Sequence, residues 1–464
     1  MKSNVTPPSP FRPAVSPRLD PDFQPLALWA RACSRAGPHD AGRTLAIAVE
    51  REQGRISRFD TCLPPDWPDA LAARYAERLV KFMLWSRGGW RVYVAGPDTL
   101  TAQLAVHYTP NGARGFDVDI MQRIYEQTFA FEVVAPEDIP DPSGTSVKLG
   151  GHLEGCRIGF DLGASDFKLA AVKDGEPVFS TEIPWDPKNQ ADPDYHYRLI
   201  QDGLKQAAAH LPRVDAIGGS SAGVVVNNRI MVASLFRSVP PERFDEARTI
   251  FLRLQKEWQV PLEVINDGEV TALAGALSLG KTGMLGMAMG SSEAVGFLTP
   301  DGLLPGWLDE LAFAPVDFNP AAPPDEWSGD RGVGALYFSQ QAVNKLAPAA
   351  GITFAPDLPL PERLNVVQDR MAAGDEQAAA IYETIGTYLG YTLPWYAQFY
   401  PLQHVLVLGR VLSGPGGTLL LDTAQTVLRK EFPEWVDRIS VNLPDEQSRR
   451  VGQAVAAASL PALA

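Results

Sequence analysis

Four times between residues 157 and 417 an apolar run stops abruptly in glycine, serine or acidic residues, and this recurrence constrains the fold more than any other feature of the chain. Short apolar runs bounded by such residues read as buried strands. The first is Arg157–Gly163 (RIGFDLG). It continues through Ala164-Ser165-Asp166-Phe167-Lys168 into KLAAVKDGEPVFSTEI, a hairpin turning at Asp174-Gly175. The second, PLEVINDGEV, delivers Asn266 and Asp267 to a strand end before the helix TALAGALSLG. The third runs Met289-Gly290-Ser291-Ser292-Glu293-Ala294-Val295-Gly296-Phe297, a hairpin with Asp301-Gly302 beyond it. In the fourth, His404–Leu408 ends at Gly409, followed by Arg410-Val411-Leu412-Ser413-Gly414-Pro415-Gly416-Gly417.

Each segment admits a chemical and a plainer reading. Gly163 and Ser165 are small enough to let backbone N–H groups approach phosphate oxygens, and Asp161 is placed to hold a hydrated magnesium ion. A tight hairpin with a capping Asp explains the same residues. Asp267 stands at the carboxyl end of a strand, where α/β folds collect ligands, and could take a proton from an attacking hydroxyl. It could equally cap the following helix. The Gly290–Ser292 turn offers donors to a phosphate or is an ordinary hairpin. Gly409 and Gly414 suit close passage beneath an adenine or ribose, though glycine-ended strands are common in loops.

Charge narrows the partners. Residues 1–150 carry 17 basic and 17 acidic side chains, so the whole net charge of -14 lies in residues 151–464. No block is basic enough for a phosphate-backbone footprint, and nucleic acid is not expected as a partner. No apolar run approaches membrane-spanning length. The N-terminal stretch lacks the apolar centre of a secretory signal, and Cys33, Cys62 and Cys156 are widely spaced, so a cytoplasmic location is expected.

Along the chain, residues 1–25 hold seven prolines and read as a disordered lead-in. A small α/β domain is expected over 40–136: strands around Gly54, a helix from Pro68 to Trp85 stopped by Gly88-Gly89, the strand WRVYVAG, the helix GFDVDIMQRIYEQTF and the strand AFEVVAP. Residues 137–154 read as a linker, and the second series of elements fills 155–464.

The order and approximate spacing of the four segments resemble those of the ROK (repressor, open reading frame, kinase) sugar kinases, over roughly two-thirds of the chain. Asp161–Lys168 is similar to that family's first phosphate motif, DxGxT, and Asn266-Asp267 to its asparagine–aspartate pair. Gly290–Gly296 is similar to its second phosphate loop, Val405–Gly409 to its adenosine strand, and Ser220-Ser221-Ala222-Gly223 to its sugar-side turn. The helix from Ile381 to Trp395, with Gly386 and Gly390, resembles the one that leads into the adenosine strand. The resemblance implies an α/β fold of two actin-like (ribonuclease H-like) lobes around a cleft, preceded by the small separate α/β domain. It implies ATP- and magnesium-dependent phosphorylation of a sugar hydroxyl, with a sugar and ATP as partners, and it admits a homodimer. By this resemblance Asp267 is the catalytic base, while Asn266, Glu310, Ser221 and Gly223 bind the sugar. Asp161 holds magnesium through water. With Gly163, Ser165, Gly290, Ser291, Ser292, Gly409 and Gly414 it forms the nucleotide and phosphate site.

The sequence departs from that pattern in three places. Ser292, Ala294 and Val295 stand where the family's second loop has glycines, and Glu293 adds a carboxylate. The adenosine strand ends Gly409-Arg410-Val411 rather than in further glycines. Asp309-Glu310-Leu311-Ala312-Phe313 stands for the family's GELGH, so Phe313 replaces a zinc-binding histidine. No cysteine follows Cys156, and His404 is the sole histidine beyond His210. No structural zinc is expected. A catalytically silent binder of a sugar, a sugar phosphate or a nucleotide on the same scaffold is the alternative favoured by the altered loop. A repressor would need a basic winged-helix reader, which the charge-neutral α/β pattern of residues 1–150 does not offer. The role of that region is otherwise open, with an oligomerisation domain or a lid over the sugar cleft as two candidates.

Overall fold

The computed structural model describes residues 11–463 apart from 38–42, 145, 147, 164, 165 and 445, and of 446–451 the backbone. The N-terminal unit contains α1 (Leu26–Ala36), β1 (Thr44–Glu50), β2 (Ile56–Cys62), α2 (Asp69–Arg87), β3 (Arg91–Ala95), α3 (Asp98–His107), α4 (Gly115–Tyr125) and β4 (Ala130–Val133). Its sheet has the order β2-β1-β3-β4. Alternation in TLAIAVE and ISRFDTC sets the β1–β2 pairing, and the left-handed Gly88 (φ 76°) ends α2, its N–H donating to the Leu84 carbonyl at 2.8 Å.

The first lobe follows: β5 (Cys156–Leu162), β6 (Asp166–Lys173), β7 (Glu176–Pro184), α5 (Pro193–Ala208), β8 (Ala216–Ser221), β9 (Val224–Val226), β10 (Arg229–Val232), α6 (Phe244–Arg248), α7 (Ile250–Trp258), β11 (Leu262–Asn266) and α8 (Asp267–Leu279). The five-stranded sheet runs β11-β8-β5-β6-β7. Strands β5, β8 and β11 are parallel and end in register at Leu162, Ser221 and Asn266. Asp174 (φ 51°) and Gly175 (φ 86°) both take the left-handed backbone that the expected hairpin turn requires.

The second lobe comprises β12 (Met284–Met289), β13 (Glu293–Leu298), α9 (Gln340–Leu346), α10 (Leu360–Ala372), α11 (Glu376–Tyr396), β14 (His404–Leu408), α12 (Pro415–Glu431) and β15 (Ser440–Asn442), in the sheet order β13-β12-β14-β15. The last helix, α13 (Glu446–Ala458), returns to the first lobe. It packs on β5, β8 and β6, α8 packs on β12 and β13, and the two helices touch, so the sheets face each other across a helix pair. Glycine makes this approach feasible: a Cβ on Gly159 or Gly218 would stand 1.7 Å from a carbonyl oxygen of α13.

Of the expected disordered lead-in over 1–25, residues 1–10 lie outside the described residues, and residues 11–25 correct it. Phe11 stacks on Trp29 with ring centroids 3.8 Å apart, Phe23 is buried, and the Leu26 N–H donates to the Val316 carbonyl at 3.2 Å. Two aromatic anchors hold the segment, and its prolines suit a path of successive turns with few backbone donors to satisfy. The N-terminal sheet is distinct from the sheets of both lobes, but its helices join the second lobe's core. Phe82 of α2 packs on Trp395, Tyr396 and Phe399 at 5.0, 5.7 and 4.1 Å between centroids.

Candidate active site

Three strands deliver the first group. Asp161 lies on β5 directly opposite Lys168 of β6 and Ser220 of β8. Ser220 Oγ donates to Asp161 Oδ1 at 2.7 Å, and Lys168 Nζ stands 3.7 Å from Oδ2. Burial nevertheless raises the Asp161 carboxyl, against the pull of Lys168 and Ser220. The Gly163 N–H donates to the Asp166 carbonyl at 3.0 Å, and its carbonyl accepts from Trp185 Nε1 at 2.8 Å. Both backbone groups of Gly163 are therefore spent within the turn. Ser165 lies outside the described residues.

The second group forms where β11 becomes α8. Asn266 is the residue that caps the helix: its Oδ1 accepts from the Gly268 N–H at 2.7 Å. Asp267 accepts from the same N–H at 3.1 Å, which leaves its second oxygen free of this bond. Asn266 Nδ2 donates to the Gly223 carbonyl at 2.9 Å and to Glu310 Oε1 at 3.3 Å. Asn266, Asp267, Gly223 and Glu310 thus converge on one point at the sheet's carboxyl edge. Ser221 is fully buried there, its hydroxyl turned to the Ala222 carbonyl at 3.4 Å.

Electrostatics join these groups. Burial, and then the Asp161 charge, push Asp267 up to about 7. Burial raises Glu310 to about 8, with Asp267 and Asp309 adding to the shift. Glu310 in turn adds to the burial that raises Glu293 to about 8. A series of carboxylates within mutual reach therefore runs from the first lobe to the second, and several of them hold protons near neutral pH.

In the second lobe, Gly290 and Gly409 meet at the ends of β12 and β14. Gly409 (φ 108°) lies so close that a Cβ would stand 2.5 Å from the Met289 carbonyl oxygen. The Gly290 N–H donates to the Ser292 carbonyl at 3.0 Å, while the Ser291 and Ser292 hydroxyls make no hydrogen bond among the described residues. Gly414 (φ 75°) opens α12 with nothing near its Cα. Glu293 turns inward from β13: its Oε1 accepts from the Tyr396 hydroxyl at 3.3 Å, and Oε2 lies buried beside Gly334 without a hydrogen-bond partner.

The loop carrying Glu310 rests on the N-terminal unit, which sequence reading did not anticipate. Asp309 is left-handed (φ 50°), its N–H donates to the Ser86 carbonyl at 3.1 Å, and its Oδ1 accepts from Tyr400 at 2.7 Å. Arg87, at the end of α2, stacks over Trp307 with its guanidinium 3.6 Å from the ring centroid. No local pattern marks these partners, since they lie far apart in sequence. Lys168 was within reach, because hairpin symmetry places it opposite Asp161. Phe313 packs between Trp85 and Trp327, at 4.5 and 5.4 Å between centroids, as part of an aromatic cluster.

No known family model matches the chain, and no curated protein matches it. Solved structures do. The ROK hexokinase of Thermus thermophilus is 17% identical over 65% of this chain and 97% of its own, with a TM-score of 0.50. A ROK glucokinase from Streptomyces griseus, solved with glucose and AMPPNP, is 19% identical over 66% and 99%, with a TM-score of 0.50. A ROK-family transcriptional regulator described as a homologue of the E. coli MLC protein is 18% identical over 66% and 78%, with a TM-score of 0.51. Two sheets facing each other across α8 and α13, with converging residues at their carboxyl edges, define the actin-like, two-lobed α/β class. Within that class the chain has the ROK fold. The third of the chain left without a counterpart is about the size of the N-terminal unit.

Proposed function

We propose that the protein is an ATP- and magnesium-dependent kinase of a sugar hydroxyl. One observation carries this reading: Asn266, Asp267 and Glu310 converge at a sheet edge, and the helix is capped by Asn266 rather than by Asp267. Asp267 is then available as the base, and a carboxyl poised near 7 both holds and releases a proton at neutral pH. Glu310 and Asn266 orient the sugar. Gly223 and Ser221 frame them, the first by holding the Asn266 amide. Gly290, Ser291, Ser292, Gly409 and Gly414 form the phosphate and nucleotide side. Gly163 takes part by shaping its turn, since its own N–H is engaged.

The described residues contain no cluster of three or more His, Cys, Asp or Glu arranged to hold a metal. Asp161, a buried carboxylate on one side of the cleft, fits a magnesium ion whose other ligands are water and substrate phosphates. When bound, magnesium would offset phosphate charge beside the acidic groups. Glu293 supports the kinase over the silent binder, because it faces Tyr396 and Gly334 instead of a phosphate path. The crowding of carboxylates favours the second reading, a binder of uncharged sugar without phosphotransfer, since it opposes an anionic ligand. A thermal-shift screen of hexoses and amino sugars, with and without Mg-ATP, separates the two. Stabilisation by Mg-ATP supports the kinase; stabilisation by sugar alone, with none from nucleotide, supports the binder.

A further inference from the structure

A cavity of about 340 Å³ lies between the N-terminal unit and the second lobe, lined by α2, α3, the turn before α4 and the 317–331 segment. Its wall is unusually rich in arginine: Arg74, Arg78, Arg114 and Arg331 all face it. Two of the four are already matched. Arg78 Nε pairs with Glu77 at 2.7 Å and its Nη1 with Asp330 at 2.9 Å; Arg114 pairs with the same two acids at 2.5 and 2.8 Å. Lys81 adds bridges to Asp117 at 2.7 Å and Asp330 at 3.2 Å, so three cations balance three anions. Burial alone would raise Asp330, but Lys81, Arg78 and Arg114 hold it far below the ordinary carboxylate range. This balanced network is rigid and has no charge to spare.

Arg74 and Arg331 fall outside it. Arg74 makes no hydrogen bond or close ion pair among the described residues, although the Asp317 and Glu77 charges act on it; its guanidinium lies over the Phe318 ring, 3.9 Å from the centroid. Arg331 is exposed, and one of its nitrogens donates to the Ala322 carbonyl. The anion nearest in kind on the wall is Asp317. Its oxygens already accept from the Gln24 and Asn319 N–H groups, at 2.9 and 2.8 Å, and from the Tyr337 hydroxyl at 2.6 Å. Those neutral donors leave its charge in place, so the wall sets four arginines against three carboxylates, Glu77, Asp317 and Asp330, and one cation is left unanswered. A half-buried arginine whose counter-charges lie beyond ion-pair contact gains from an anion that reaches it directly. Guanidinium forks match phosphate oxygens two at a time, and an aromatic ring under one guanidinium fixes its plane.

We propose that this cavity is a second binding site, separate from the cleft, for a small organic phosphate. Arg74 and Arg331 grip the phosphate, and the Glu77–Arg78–Asp330–Arg114 network keeps the wall in place. The volume exceeds what a bare anion fills, so the remainder of the ligand occupies the space towards Gln103 and His107. The exposed side chains of Gln103 and Arg331 mark the mouth.

Calorimetry with glucose 6-phosphate, inorganic phosphate and glucose as probes tests the proposal on the full chain, its Arg74→Gln and Arg331→Gln variants, and AMPPNP as a cleft control. Saturable binding of glucose 6-phosphate is expected, weakened at least about tenfold in each variant, with AMPPNP stabilisation unchanged. Binding that survives both substitutions would place the phosphate in the cleft and overturn the proposal. So would the absence of saturable binding, or inorganic phosphate binding as tightly as the sugar phosphate. Should Arg74→Gln fail to fold, the exposed Arg331→Gln decides alone.

Discussion

Burial raises Asp267 and Glu293 alike, yet the two carboxyls face different surroundings and predict different experiments. Asp267 keeps one oxygen outside its hydrogen bond from the Gly268 N–H. Asp267→Asn retains size and some hydrogen bonding but cannot accept a proton, so a loss of about 10²–10⁴-fold in kcat is expected with folding intact. Because the base must be unprotonated, kcat/KM of the wild type should rise as pH passes through about 7. Glu293, only 3% exposed, is raised from 4.5 to about 8 by burial, helped by Glu310 and opposed by Tyr396. Between those values the folded state binds a proton that the unfolded state has released. Stability contributed there is full below about 4.5 and is lost as pH rises through about 8. Glu293→Gln should therefore raise stability by roughly 2–4 kcal/mol at pH 8.5 and change it little at pH 5. Chemical denaturation at both values is the check, and an equal effect at the two would contradict it.

At the scale of elements, much was legible because hairpins and strand ends announce themselves. The turn at Asp174-Gly175, the end of α2 at Gly88 and the strand ending at Asn266 all lie where period and punctuation put them, while α8 starts at Asp267, four residues before the helix expected from Thr271. Helices α1 and α3 were not legible: one follows a proline-rich stretch, and the other, DTLTAQLAVH, scatters its apolar residues around its circumference. Gly296, inside the segment likened to a phosphate loop, and Gly386 and Gly390, in the helix before β14, all serve close packing of elements. Gly296 lets α8 lie on β13, and a Cβ there would stand 2.3 Å from the backbone of Gly268 and Glu269. Gly386 and Gly390 let α11 meet α12, the first within 2.3 Å of the Leu420 carbonyl by the same measure. Gly296→Ala should thus destabilise the fold by roughly 1–3 kcal/mol and impair turnover through Asp267, one residue from the contact. Unchanged melting and turnover would show that α8 tolerates displacement.

For the whole molecule, the N-terminal unit is the part that the sequence left without a role. Its contribution comes from residues hundreds of positions apart: Phe82 against Trp395, and Ser86 against Asp309 behind Glu310. It also reaches the first lobe, where Glu126 pairs with Arg229 and Arg248, both at 3.0 Å. No local pattern could reveal such packing, because each half reads as an ordinary amphipathic segment. A fragment of residues 155–464 would expose the aromatic face of α11, so it should fail to give a soluble monomer with a cooperative melt. A soluble, cooperatively melting fragment would show that the lobes stand alone.

Transfer of labelled γ-phosphate from Mg-ATP to a panel of hexoses and amino sugars tests phosphotransfer at Asp267 most directly. The wild type should label at least one sugar, and Asp267→Asn should label none while still binding that sugar. Sugar binding by the wild type without transfer to any acceptor, or equal transfer by Asp267→Asn, would contradict it.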